Sequence, residues 1–334
     1  MGFLIDMIDV GQGDAFLLTL GTPTRDVTVL IDAGPPDEGG TVANFVLKYA
    51  RGSLDAVICS HFDIDHVGGF TEVLDRCTVS RFYINLPSHP DVLLETLRRQ
   101  RYQEFKKHGG VWDMLEKSLE AIPDLVGALG RHGLSPQPIM SGMSWNLGDV
   151  VVRVLNPDAN KLQEAWEELE ADEAPFASVM RELAKSAGVE VAPETTAHNN
   201  ASVVLDLVYK GVPYALLPSD AGADVIREVT ANQSYPFLKV PHHGSKTGLD
   251  EALVEQLHPK SAYISVGENA YKHPAPEILK MLREHGAKTY CSRKAESCPP
   301  GCPADGFGSL CHQHEHPWHP GYSATDSSKC VNNR

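Results

Sequence analysis

Short apolar runs, separated by turn residues, dominate the first third of the chain. "FLIDMIDV" and "AFLLTL" flank the turn "GQGD", and "DVTVLIDAG" follows with a β-branched, apolar interior that ends in Asp-Ala-Gly. Runs of this length, bounded by Gly and Asp, predict strands. "TVANFVLKYA" carries its apolar residues at helical spacing, "LDAVICS" is a further buried strand, "FTEVLDRC" a short helix and "VSRFYINLP" a strand. Strands alternating with helices predict a layered α/β domain. Residues 90–130 read as mainly helical, with breaks at "HGG" and "IPD", and residues 158–190 as helical and acidic. Between them "SWNLGDVVVRVLNP" returns to strands. "ASVVLDLVYKGVPYALLPSD" predicts a hairpin around Lys210-Gly211, and "AGADVIREV" a helix. "PFLKVPHHGS", "KSAYISVG" and "AKTYCS" predict strands, with helices at "LVEQLHP" and "PAPEILKMLREHG", the latter with Pro near its start.

The 334 residues, 42% of them hydrophobic, are enough for one large α/β domain or two ordinary ones. No apolar run approaches the roughly 18–20 residues of a membrane span. The opening "MGFLIDMIDVGQGD" places Asp6 and Asp9 within its apolar run and lacks a basic leader, so no signal peptide is expected and the expected location is cytoplasmic, with no membrane partner. The formal charge of −15 excludes a general nucleic-acid coat, but not an enzyme that meets phosphates through metal ions. Charge is uneven: "LRRQRYQEFKK" gathers Arg98, Arg99, Arg101, Lys106 and Lys107, whereas "EAWEELEADE" is acidic. Each is a solvated helix face on its simplest reading, and the basic one is also suited to phosphate contacts.

Chemistry concentrates where the strands stop. "ICSHFDIDHVGG" sets His61, Asp63, Asp65 and His66 after an apolar strand and before a glycine pair. Imidazole and carboxylate side chains are costly to cluster unless something binds them, and together they are a ligand set for Zn²⁺ or Mn²⁺. In an extended loop His61, Asp63 and Asp65 can converge from one side, with His66 entering from the other, while Gly68 and Gly69 permit a tight turn. Asp220 ends the strand of "LLPSD", His242 and His243 end that of "LKVPHHGS", and His273 follows "YISV". A lone histidine at a strand end is ordinarily structural. The repetition of acids and imidazoles at several ends is what favours a metal centre.

These motifs carry a resemblance. "DVGQGD", "LIDAG", "SHFDIDHVGG", "NNASVVLDL", "LLPSD", "KVPHHGS" and "ISVGENAYKHP", in this order, resemble the metallo-β-lactamase superfamily, and more narrowly the nuclease domain at the C-terminus of ComEC-type competence proteins. The resemblance covers about residues 1–290, with helical insertions at about 90–135 and 158–195. It implies an αββα sandwich of two mixed sheets with outer helices and a metal site along one edge. His61, Asp65 and His66 match metal-ligand positions, and Asp220 matches the carboxylate bridging two metals. One of the histidine pair matches the late ligand, with His242 favoured. His273 matches a histidine near the substrate phosphate, and Asp32 a carboxylate bracing the site. Asp63 stands where the superfamily commonly has a second histidine. The usual middle histidine is missing, and Asn200 and Ser202 lie near its place, with His198 close by. An oxygen-rich set shifts preference from Zn²⁺ toward Mn²⁺ or Mg²⁺.

The reading that follows is a hydrolase with two divalent ions, most plausibly a phosphodiesterase acting on DNA. Asp65 counts both as a metal ligand and as a catalytic residue, His273 and His243 would stabilise charge or protonate the leaving oxygen, and Lys246, just after "HHGS", would meet substrate or brace the site. The rivals are a small-molecule phosphodiesterase or esterase on the same fold, and a non-catalytic or partner-activated subunit of a multi-gene system such as phage defence. The last segment differs in composition. Five of the seven cysteines and four of the fifteen histidines fall between Cys291 and Cys330. A C-terminal tail over residues 291–334 with a structural zinc on Cys298, Cys302, Cys311 and His314 is one expectation, disulfides or free thiols the others.

Overall fold

The computed structural model describes residues 2–86, 111–170, 196–269, 271–293 and 309–314. A first stretch of the chain, ending at Gln137, supplies β1 (Phe3–Ile8), β2 (Phe16–Gly21), β3 (Asp26–Ile31), β4 (Ser53–Leu54), β5 (Ala56–Ile58), β6 (Thr78–Val79), β7 (Phe82–Tyr83) and β8 (Pro136–Gln137). The second supplies β9 (Ser144–Leu147), β10 (Val150–Asn156), β11 (Val204–Tyr209), β12 (Val212–Leu217), β13 (Phe237–Lys239), β14 (Ser261–Ile264), β15 (Lys288–Cys291) and β16 (Ser309–His314). One sheet runs β16-β1-β2-β3-β5-β7-β8 and the other β15-β14-β13-β12-β11-β10-β9, with β4 and β6 as a small separate pair. Each large sheet joins antiparallel hairpins to parallel strands: β3, β5, β7 and β8 are parallel in the first, and β12 to β15 in the second.

The period-2 pattern explains the layering. In β1 and β2, Phe3, Ile5, Met7, Phe16, Leu18 and Leu20 face the second sheet, while Ile8 and Leu17 face the helices outside. In the second sheet Leu205, Leu207, Ala215, Leu217 and Phe237 face inward, and Val204, Leu216 and Leu238 meet the outer helices. Because both faces of each sheet are buried, these strands read as nearly continuous apolar runs rather than clean alternations. The helices Gly39–Tyr49, Phe70–Arg76 and Val111–Arg131 cover the first sheet, and Ala223–Thr230, Glu251–Leu257 and Pro276–Glu284 the second. The molecule is an α/β sandwich of the αββα kind that the motifs implied.

Two local expectations are corrected. The helix Val111–Arg131 runs through Pro123 instead of breaking at "IPD". The missing Pro123 N–H forfeits a backbone bond, but Ile122, Leu125, Ala128 and Leu129 are buried on either side, and the last three residues join the outer core of the first sheet. Packing outweighs the local penalty. The second correction is in the segment assigned to the tail, where Ser309–His314 returns as strand β16 and pairs antiparallel with β1, Cys311 opposite Asp6 and His314 opposite Phe3. Cys298 and Cys302 lie outside the described residues, as do Arg98, Arg99 and Arg101. Cys59 and Cys77 are buried free thiols, and Cys291 is buried as well. No helix among the described residues is long and apolar enough to cross a membrane.

Candidate metal centre

The site lies where β1, β3, β5, β12, β13 and β14 stop. The loop after β5 carries His61 and Asp63, and a single helical turn, Ile64–Val67, carries Asp65 and His66. The backbone amide of Asp14, in the β1–β2 turn, donates to the Asp65 carbonyl at 3.1 Å. Gly13 is required there: a Cβ would lie 2.3 Å from the Asp65 carbonyl oxygen, and the residue has φ of +139°. Asp220 sits just past β12. After β13, His242 and His243 both take left-handed backbone angles, φ of 49° and 52°, which turn two adjacent side chains to different places.

Nine side chains gather into overlapping groups whose ligand atoms lie within 4.8 Å of one another: His61, Asp63 and His198; His61, His66 and Asp220; Asp65, His66 and His243; Asp14, Asp32 and His66. Asp220 is the hub. Its Oδ2 is 3.4 Å from His66 Nε2, 3.5 Å from His243 Nε2 and 3.8 Å from His242 Nε2. Asp65 Oδ2 is 3.3 Å from His243 Nε2. Asp63 spans the other side, with Oδ1 3.0 Å from His198 Nε2 and Oδ2 3.4 Å from His61 Nε2.

The imidazoles are held as metal ligands are held. His66 Nδ1 is 2.9 Å from Asp32 Oδ2, His243 Nδ1 donates to the Ser265 carbonyl at 2.8 Å, and His61 Nδ1 is 3.0 Å from Ser60 Oγ. With those nitrogens committed, the Nε2 atoms of His61, His66 and His243 point into the cluster, buried and without a hydrogen-bond partner among the described residues. Buried polar atoms ordinarily have partners, and histidine ligands ordinarily secure their second nitrogen this way. The donor set therefore fits divalent cations. Besides His66, the Asp32 carboxylate accepts from Ser60 N and Ser60 Oγ, both at 2.7 Å. Ser219 Oγ continues the chain to Ser60 Oγ at 2.6 Å. Asp32→Asn is expected to lower metal affinity about 10–100-fold with little change in fold, as read by isothermal titration with Mn²⁺.

Electrostatics is strongly coupled here. Burial alone would push the Asp220 carboxyl up, but His243, His66, Lys239 and His242 hold it well below the usual carboxylate range. Burial likewise works against Asp63, and His198 and His61 outweigh it, holding Asp63 well below its ordinary value. Burial would lower His66, yet Asp220, Asp65 and Asp32 lift it well above the ordinary imidazole value.

The remaining expected residues are distributed as follows. His243, rather than the favoured His242, enters the compact groups; His242 stands at the rim, its side chain 26% exposed, with its ring centroid 5.8 Å from that of His273. His273 is held by Asn269, which accepts from His273 N and donates to His273 O, both at 2.9 Å. Tyr271 stacks on His273 at 5.7 Å. Asn200 accepts from Gly222 N at 3.2 Å and so supports the turn after Asp220. Ser202 is fully buried, and its carbonyl accepts from Asn156 Nδ2 at 2.8 Å. Lys246 is 62% exposed, and its ammonium pairs with Glu277. Sequence reasoning did not assign roles to Asp14, Ser60, His198 or Lys239. A signal was available for Asp14 and Lys239, since each is a charge set directly against an apolar run.

Comparison with known proteins agrees with this architecture. Residues 8–144 match the model of the metallo-beta-lactamase superfamily. The chain is 26% identical over 305 residues to ComE operon protein 3 of Bacillus subtilis (strain 168), covering 85% of this chain and 31% of that protein. It is 25% identical over 288 residues to Recombination protein 2 of Haemophilus influenzae, covering 84% and 26%. The chain thus spans under a third of the length of these curated relatives. Among solved structures, Igni18, a metallo hydrolase from the archaeon Ignicoccus hospitalis, aligns with a TM-score of 0.45 at 14% identity, covering 93% of this chain and all of that one. The metallo-beta-lactamase fold protein YhfI of Bacillus subtilis aligns with a TM-score of 0.43 at 10% identity, covering 87% and 96%. The superfamily match, the distant homology to the two curated proteins and the two-sheet sandwich with its metal-capable edge converge: this chain carries the metallo-β-lactamase fold and is a distant homologue of the ComEC-type competence proteins.

Proposed function

We propose that this protein is a metal-dependent phosphodiesterase acting on DNA, with two divalent cations at the described cluster. The observation that carries the proposal is the convergence of three buried Nε2 atoms with the carboxylates of Asp63, Asp65 and Asp220 in one recess at the strand ends. His61, Asp63 and His198 would hold one ion and Asp65, His66 and His243 the other, with Asp220 between them. Zn²⁺ and Mn²⁺ both suit this nitrogen and oxygen set. Bound ions supply Lewis acidity toward a phosphoryl oxygen and a hydroxide at neutral pH.

The chain's own residues do the rest. Asp32 and the Ser265 carbonyl orient His66 and His243, so the ligand set is prearranged. His242 and His273 lie side by side and half-buried next to the cluster, where a phosphate can be met, and Asn269 holds the backbone of His273. In this reading the paired histidines divide the work, His243 holding metal and His242 meeting substrate. The DNA assignment is supported by the resemblance to the competence nuclease domain and by a relative named for recombination. A protein partner from a multi-gene system is a further proposal of the same reading. The net charge of −15 favours the small-molecule rival, because it repels a polyanion at long range.

The test is a plasmid-nicking assay beside a chromogenic phosphodiester, in Mn²⁺ and in Zn²⁺. Cleavage of both, with DNA cleavage falling steeply with salt, is the expected result. Hydrolysis of the small diester with intact plasmid would replace DNA by a small substrate. His243→Ala is expected to lose bound metal and both activities. His242→Ala is expected to keep its metal and lose about 10²–10³-fold in rate. The opposite pattern in elemental analysis would return the ligand role to His242.

A further inference from the structure

The second sheet drives a lysine into the metal centre. Lys239 ends β13, on the same face as the inward-facing Phe237. It is 1% exposed, and its ammonium pairs with Asp14 from the first sheet and with Asp220 Oδ1 at 3.3 Å. It also donates to the Ser219 carbonyl at 2.7 Å, an oxygen that accepts from His242 N as well, at 3.0 Å. A fully buried lysine is costly unless charges of opposite sign surround it. Here the carboxylates of Asp14 and Asp220 supply those charges, one from each sheet.

Counting charge explains why it is there. The clustered groups contain five carboxylates, those of Asp14, Asp32, Asp63, Asp65 and Asp220. Two divalent cations carry four positive charges, one short of the five negative ones. The fifth sits at Asp14, whose Oδ1 is buried with no hydrogen-bond partner among the described residues and lies 3.6 Å from His243 Nδ1. Asp14, Asp32 and His66 by themselves have the spacing of a metal-binding group. We propose that Lys239 is the internal cation of this centre: it stands in for a metal ion at Asp14 and ties down Asp220 Oδ1, so that Asp220 presents Oδ2 alone to the histidines. The proposal rests on the two-cation reading of the site, and it makes Lys239 a positioning residue rather than a catalytic one.

Metal-free and Mn²⁺-loaded protein separate the two ideas. In a chelator, Lys239→Met is expected to melt about 5 °C or more below wild type, because Asp14 and Asp220 lose the ammonium that pairs with both. Adding Asp14→Asn to the same chain is expected to recover at least half of that loss. On loading with Mn²⁺, Lys239→Met is expected to gain more melting temperature than wild type and to take up more ions per chain by elemental analysis. A Lys239→Met protein that melts with wild type in chelator, or that gains no more from Mn²⁺ than wild type does, overturns the proposal. If Lys239→Met does not fold, folding of the Asp14→Asn double variant supports it, and failure of both assigns Lys239 to packing and overturns it. If neither wild type nor Lys239→Met takes up metal, the two-cation reading fails and the Mn²⁺ arm is void, and the chelator arm alone then upholds or overturns Lys239 as the internal cation.

Discussion

Asp220→Ala is expected to abolish hydrolysis, with a loss of at least about 10³-fold, or roughly 4 kcal/mol of barrier. No other side chain touches as much of the cluster: its two oxygens reach His66, His243, His242 and Lys239. With the carboxylate gone, both groups of ligands lose the negative charge that joins them, and the metal content per chain is expected to fall by at least half. The fold should survive, because Lys239 keeps Asp14 and the Ser219 carbonyl as partners. Circular dichroism unchanged from wild type, measured beside elemental analysis, separates loss of metal from loss of structure. An Asp220→Ala protein with full metal content and measurable turnover would remove Asp220 from the centre.

Gly69→Ala is expected to destabilise the protein by about 3 kcal/mol or more and to lower metal content with it. A Cβ at Gly69 would lie 2.1 Å from the Ala33 carbonyl oxygen and 2.9 Å from Gly39 Cα, and neither is the flexible end of a side chain. The same contact region carries the site. Gly69 N donates to Gly34 O, Ala33 N donates to His66 O, and Asp32 holds the His66 ring, so a shift of the Ala33 segment drags both bracing carboxylate and ligand. Gly130→Ala is the control. A Cβ there meets nothing within 4 Å, in the helix Val111–Arg131, and gains about 0.5–1 kcal/mol from helix propensity. Chemical denaturation of both variants, followed by metal analysis of the folded fractions, checks the pair. Equal stability of the two variants would show that the Ala33 carbonyl moves freely, and the link between this packing and the site would be lost.

What the sequence determined by itself was the layering and most of the acid and imidazole side chains that gather at the strand ends. Apolar runs such as "FLIDMIDV" and "ASVVLDLV" are buried on both faces, which marks sheets covered on each side in a layered α/β domain; that two such sheets face each other is what the resemblance of the motifs implied. His61, Asp63, Asp65 and His66 were legible because four chelating side chains follow one strand within one short loop, a local spacing that needs no knowledge of the fold. Asp220 was legible because it ends an apolar strand. Tertiary structure decided what spacing cannot express. Adjacent residues His242 and His243 are equivalent in the sequence; left-handed backbone angles and the Ser265 carbonyl, which comes from the end of β14, send His243 inward and leave His242 at the rim. His198 joins the cluster only because the short helix Ala197–Asn200 lies beside the β5 loop, where its ring also packs on Phe62 at 3.9 Å. Lys239 and Asp14 are far apart in the chain and belong to different sheets, so neither charge had a visible partner until the two sheets closed on each other. The helix through Pro123 follows the same logic. Local rules weigh one residue's backbone, whereas burial against a sheet weighs a whole helix face, and in this fold the larger area wins.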